Sequence, residues 1–131
     1  MNLQLCSGGC ACGAVRFTAR GPAKRVGLCH CLTCRRAHGS AFNCFVIFNR
    51  SDVTWTGDLR SWESSHGYDR TFCPSCGSRL IAFAGDEVEI GIGSFDDLGL
   101  FSPQYESWCI HRERWLAALD VPQYPSNNPN L

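Results

Sequence analysis

The sequence predicts a mostly-β fold, a single small domain with few short helices, and three observations lead there. Short runs of β-branched and aromatic residues recur along the 131-residue chain. Gly, Asp and Ser punctuate them, as turns between strands require. Cysteines cluster at three distant places, so a compact β domain could be clasped by them instead of by long helices.

Each element rests on its own pattern. Residues 14–19 alternate apolar Val15 and Phe17 with polar neighbours, which suits a half-buried strand. Residues 41–48 are apolar on both faces and belong in the middle of a sheet. Shorter β-type runs follow at 53–55, 68–72, 80–84 and 88–92. Residues 112–119 carry the one convincing helical pattern, with a further helical turn at Leu32–His38. The segment after Pro122, QYPSNNPNL, is polar and broken by prolines, so the core is expected over about 5–121 and a surface tail over 122–131. No repeat or low-complexity linker interrupts the chain, so one zinc-binding domain over 1–131 is expected once the cysteines below are read as ligands.

Composition narrows the function. Lys plus Arg and Asp plus Glu balance at 12 each, so no net field draws in nucleic acid. No apolar run reaches the roughly eighteen residues that a membrane helix needs. The opening residues, MNLQLCSGGC, lack a basic leader and an apolar signal core, so a cytoplasmic protein is expected. Neither a nucleic acid nor a membrane is expected as a partner. In a reducing compartment the 10 cysteines point to metal more than to disulfides.

Cys73-Pro-Ser-Cys76-Gly77 has the form of a zinc knuckle, a tight turn that aims two sulfurs one way. Gly77 can take the positive φ that turns backbone N–H groups toward the thiolates. A closed site needs two more ligands, and Cys10-Ala11-Cys12 is the best source: in an extended chain residues i and i+2 face one side. The competing reading makes one pair a redox dithiol or simply buried.

Cys29-His30-Cys31-Leu32-Thr33-Cys34 supplies three thiols on one loop. Catalytic zinc sites commonly use three protein ligands and leave a fourth position for water or substrate. His30 could be a fourth ligand, although in an extended C-x-C its ring points away. Cys44, Cys6 or Cys109 could instead complete a second structural site. Arg35 and Arg36 follow directly, with Gly39 and Ser40 beyond them, and either arginine could grip a substrate carboxylate or merely offset the thiolate charge.

These motifs together resemble the glutathione-dependent formaldehyde-activating enzyme family, which also includes centromere protein V. The resemblance runs from Gly8-Gly9-Cys10-Ala11-Cys12-Gly13 through Cys29-His30-Cys31, Cys34-Arg35-Arg36 and Gly39-Ser40 to Phe72-Cys73-Pro74, Cys76-Gly77-Ser78 and Gly93-Ser94-Phe95-Asp96-Asp97. It continues at Pro103, Arg112, Trp115, Asp120 and Pro122. It implies a β-rich fold like the β-tent of Rab-exchange-factor-like chaperones, with two zinc ions per chain. One would be structural on Cys10, Cys12, Cys73 and Cys76; the other, more labile and catalytic, would sit on Cys29, Cys31 and Cys34. The implied activity is carbon–sulfur lyase chemistry, adding glutathione or a similar small thiol to formaldehyde, with Arg35, Arg36, Gly39 and Ser40 near the substrate. A non-catalytic thiol or zinc carrier of the same fold is the alternative. One departure stands out: some members have a His where Glu106 falls here.

Overall fold

The structure, a computed structural model, describes residues 4–131. Ten strands follow one another: β1 (Leu5–Gly9), β2 (Arg16–Arg20), β3 (Arg25–Cys29), β4 (Asn43–Asn49), β5 (Val53–Thr56), β6 (Arg60–Ser65), β7 (Tyr68–Phe72), β8 (Arg79–Ala84), β9 (Glu87–Gly91) and β10 (Glu106–Ser107). Helix α1 (Leu32–His38) sits between β3 and β4 and is the only α-helix among the described residues. The chain is therefore mostly β, as its patterning predicts.

Two sheets form. One has three antiparallel strands in the order β1-β2-β5; the other has seven, in the order β10-β3-β4-β9-β8-β7-β6. Among these strand pairings only β10–β3 is parallel, with Glu106 opposite Leu28 and Ser107 opposite Cys29. Phe17, Ala19, Val46, Phe48, Ile81, Val88, Ile90 and Phe95 fill the main core. Fully burying a side chain such as Phe48 stabilises the fold by about 1.5–3 kcal/mol.

Strand β4 shows why residues 41–48 are apolar on both faces. Val46 and Phe48 enter the main core, while Phe45 and Ile47 pack with Tyr105 in a second cluster on the opposite face. Gly27 makes room for that second cluster, because a Cβ there would meet the Phe45 and Tyr105 rings at 2.6 Å. Tyr124 covers the same cluster and draws the segment after Pro122 onto the sheet. That segment is tied along β10 by Glu106 N–H to the Pro122 carbonyl at 3.0 Å and Tyr124 N–H to the Glu106 carbonyl at 2.9 Å.

The helix expected at 112–119 is absent. Its apolar residues have no face to pack on: Trp115 is 73% exposed and Leu119 43%. Helical propensity without a buried stripe does not sustain a short helix. The segment runs as turns and extended chain, and Leu119 N–H is spent on the Glu106 side chain at 2.8 Å.

Candidate functional site

Two groups of cysteines converge. The first joins Cys10 and Cys12 to Cys73 and Cys76, with all four sulfurs within 4.8 Å of one another. Cys10 and Cys12 lie on a turn between β1 and β2, closed by Gly13 N–H on the Cys10 carbonyl at 3.2 Å, and not on the extended chain expected from i, i+2 spacing. Cys73 and Cys76 lie on the turn after β7, where Gly77 has φ 76° and donates its N–H to the Cys73 carbonyl at 2.8 Å. Cys10 and Cys12 sulfurs are 3.5 Å apart, Cys12 and Cys73 sulfurs 3.8 Å. A tetrahedron with metal–sulfur bonds of about 2.3 Å has edges of ~3.8 Å, so the donor set fits a closed four-thiolate site. None of the ten cysteines is in a disulfide. The Ser78 hydroxyl and backbone pull the Cys76 thiol down to about 5, and Val15 N–H donates to the Cys10 sulfur at 3.2 Å.

The second group brings Cys29, at the end of β3, together with Cys31 and Cys34, again with sulfurs within 4.8 Å. Cys31 caps α1: its sulfur accepts the Cys34 N–H at 3.2 Å. Cys34 is buried inside the first turn. Hydrogen bonds from Cys29 and Cys34 pull Cys31 down, and the same crowding by Cys29 and Cys31 pushes Cys34 up. Three thiolates that close cannot all ionise until a cation joins them, so this donor set also fits a metal ion. Among the described residues no further His, Cys, Asp or Glu joins the group.

The cleft explains the missing fourth donor. Cys29, Cys31 and Cys34 line a cavity of about 500 Å³ together with Arg25, Tyr68, Arg70, Glu89 and Trp108. Arg70 reaches in from β7, with Nη2 3.7 Å from the Cys34 sulfur and Nε 3.0 Å from the Ser64 hydroxyl. Burial pushes Glu89 above the usual carboxylate range, and Asn43 Nδ2 donates to it at 3.2 Å. Burial likewise pushes Tyr68 well above its ordinary value, and the nearby Glu89 carboxylate pushes the same way.

Residues 5–111 match the glutathione-dependent formaldehyde-activating enzyme family. The chain belongs to that family. It is also 32% identical over 73 residues, 56% of this chain, to an uncharacterised lyase of Schizosaccharomyces pombe. That match covers 53% of the yeast protein, so the chain spans about half the length of the curated relative.

Within this family member the other expected site residues fall away from the cleft. Arg35 lies one position past inward-facing Cys34, so the helical rotation aims it elsewhere: Nη2 meets Glu113 at 2.6 Å and Nη1 the Ala41 carbonyl at 3.3 Å. Arg36 is exposed. Gly39 is the C-cap of α1 with φ 56°, and Ser40 lines a separate groove beside Cys10 and Ala11. His30 is fully buried on the far side of the loop, with Nε2 2.7 Å from Glu106 Oε1, so it is not a fourth ligand. Cys6 bonds the Ala19 carbonyl and Cys109 the Gln123 side chain, which leaves neither with the three-cysteine group.

Sequence reasoning missed Arg70, Tyr68 and Glu89. One signal was present: Arg70 stands in the middle of a β-type run beside Thr71 and Phe72, and a charge buried in a strand marks a site more often than a core.

Proposed function

We propose that the chain is a zinc-dependent carbon–sulfur lyase that joins a small thiol such as glutathione to formaldehyde or a related carbonyl. One observation carries the reading: three cysteine sulfurs, with no fourth protein donor among the described residues, line a cleft that also contains a buried arginine. Family membership and the resemblance to a lyase support the same reaction type. Zinc held by Cys29, Cys31 and Cys34 would supply a position where a substrate thiol is bound as thiolate.

The chain's own groups do the rest. Arg70 offsets the negative charge of three clustered thiolates and offers N–H donors to a substrate carboxylate. Glu89 and Tyr68, both held toward their protonated forms by burial, carry hydrogen to the carbonyl oxygen as the new bond forms. In the net reaction a C–S bond forms and the thiol hydrogen ends on that oxygen; the reverse step breaks the C–S bond. Cys10, Cys12, Cys73 and Cys76 would hold a second zinc, which would clasp the β1–β2 turn to the turn after β7.

The test is the exchange rate between formaldehyde, glutathione and their adduct, read by NMR line broadening with and without the protein. Acceleration that disappears in Cys31→Ser supports the lyase. Tight glutathione binding with an unaccelerated rate makes the protein a thiol carrier instead.

A further inference from the structure

Glu106 is a buried carboxylate outside both cysteine groups, and it is tied to one of them by a single contact. It is 1% exposed, and four donors surround it. Oε1 accepts from His30 Nε2 at 2.7 Å. Oε2 accepts from Leu119 N–H at 2.8 Å and from Gln123 Nε2 at 2.7 Å, with Arg112 Nη2 at 3.6 Å. One oxygen therefore faces the Cys29–Cys31 loop and the other faces the C-terminal segment.

His30 depends on that one oxygen. Its ring is fully buried and, among the described residues, its Nδ1 has no hydrogen-bond partner and Glu106 is the only polar anchor of the imidazole. His30 stands between Cys29 and Cys31, so any turn of its backbone swings both sulfurs. The backbone on this side is fixed from the same strand: His30 N–H donates to the Ser107 carbonyl at 3.0 Å. Strand β10, only two residues long, thus holds the loop by its backbone and by the Glu106 side chain.

We propose that Glu106 is a positioning residue for the Cys29/Cys31/Cys34 metal site, acting through His30 to hold two of the three sulfurs in register. This rests on the reading of that group as a metal site. Partners one shell beyond the ligands orient them, and losing one typically lowers metal affinity about 10–100-fold. Glu106→Gln presents one acceptor where the structure uses two: its amide oxygen can face His30 or the C-terminal segment, and its NH₂ group then opposes donors on the other side.

Cobalt(II) is the probe, because thiolate-to-cobalt absorption reports each site's coordination, and a competing chelator gives each affinity. In the wild type two equivalents are expected, one lost in Cys31→Ser. In Glu106→Gln the affinity of that second equivalent is expected to fall about 10–100-fold while the first is unchanged. Gln123→Ala removes a donor from the C-terminal side only, so it is expected to lower the thermal midpoint without moving cobalt affinity. If Glu106→Gln does not fold, His30→Phe removes the same hydrogen bond from its other end and is expected to show the same selective loss. Unchanged affinity in the variant that is read overturns the positioning role while leaving the metal site standing. Equal weakening of both sites, or weakening in Gln123→Ala in proportion to its thermal midpoint, makes Glu106 a purely structural anchor and also overturns the role. A wild type that takes up no second equivalent overturns both this role and the metal reading beneath it.

Discussion

Arg70 Nη2 lies 3.7 Å from the Cys34 sulfur, although the two residues are 36 apart in the chain. This contact brings β7 of the large sheet against α1 and places a buried cation beside the three-cysteine group. A guanidinium there is costly to bury alone. It is compensated by the thiol cluster, by the Ser64 hydroxyl and by the Tyr68 ring 5.0 Å from its Cζ.

The first prediction concerns which arginine serves the substrate. Arg70→Lys is expected to weaken glutathione binding about tenfold or more, the effect of losing one charge-assisted hydrogen bond of ~1.5–3 kcal/mol. Arg35→Ala is expected to leave it unchanged, because that guanidinium is committed to Glu113; the half-exposed pair contributes at most about 1 kcal/mol to stability. Titrations of glutathione and of 2-mercaptoethanol into both variants decide it. Equal losses for the two thiols in Arg70→Lys would mean that the residue shapes the metal site and does not read carboxylates.

How much of this was legible in the sequence follows from what each residue depends on. Val15 and Phe17, and the double-faced run of β4, announce their strands because burial imposes a period. The three cysteine motifs announce their chemistry because ligands must sit close in space and the members of each motif are also close in sequence. Strand β6 is hidden because nearly every side chain in it is exposed, so hydrogen bonds to β7 define it and no hydrophobic pattern marks it. Strands β1 and β3 are hidden by Gly8, Gly9 and Gly27, which are chosen for close approach and weaken the β signal. The cleft is hidden most of all. Arg70, Tyr68 and Glu89 meet the cysteines only through sheet pairing, and Arg35 looked closer merely because it follows Cys34.

Cys76→Ser is expected to unfold the protein. A structural zinc contributes about 10–16 kcal/mol in small zinc domains, as much as the whole stability of an ordinary domain. Cys76 is exposed, so no packing is lost by the substitution itself and any collapse traces to the metal. Circular dichroism and metal content check this. A folded variant with an unchanged thermal midpoint would remove the clasp.

His38 gives a pH signature. It ends α1, and burial, then Arg70 and Arg79, hold its imidazole down to about 4. Cys31 opposes this weakly, and Glu89 shares the small cavity beside it. In the unfolded chain the ring titrates near its ordinary value of about 6.5. Between these two values the unfolded state binds more protons, so this contribution to stability is whole above about pH 6.5 and is lost as pH falls toward 4. His38→Gln is therefore expected to lose less thermal stability than wild type between pH 8 and pH 5. Parallel melting curves across that range would mean that the ring is solvated.

Cys31→Ser separates the two metal sites. The serine hydroxyl is a good helix N-cap, so it can accept the Cys34 N–H that the Cys31 sulfur now accepts, and α1 keeps its start. Oxygen is a poor replacement for a soft thiolate ligand, so metal retention at this site should fail while the local backbone survives. Cys29, Cys31 and Cys34 also lie close together in the chain, from the end of β3 to the first turn of α1. Holding them together closes little chain entropy, unlike the clasp between Cys12 and Cys73, and little folding free energy rides on that metal. The expected protein has one metal equivalent per chain, an unchanged circular dichroism spectrum and a thermal midpoint near wild type, and it no longer binds glutathione. If it instead collapses as Cys76→Ser does, the three-cysteine group is a structural site, and the open coordination position on which the lyase reading depends does not exist.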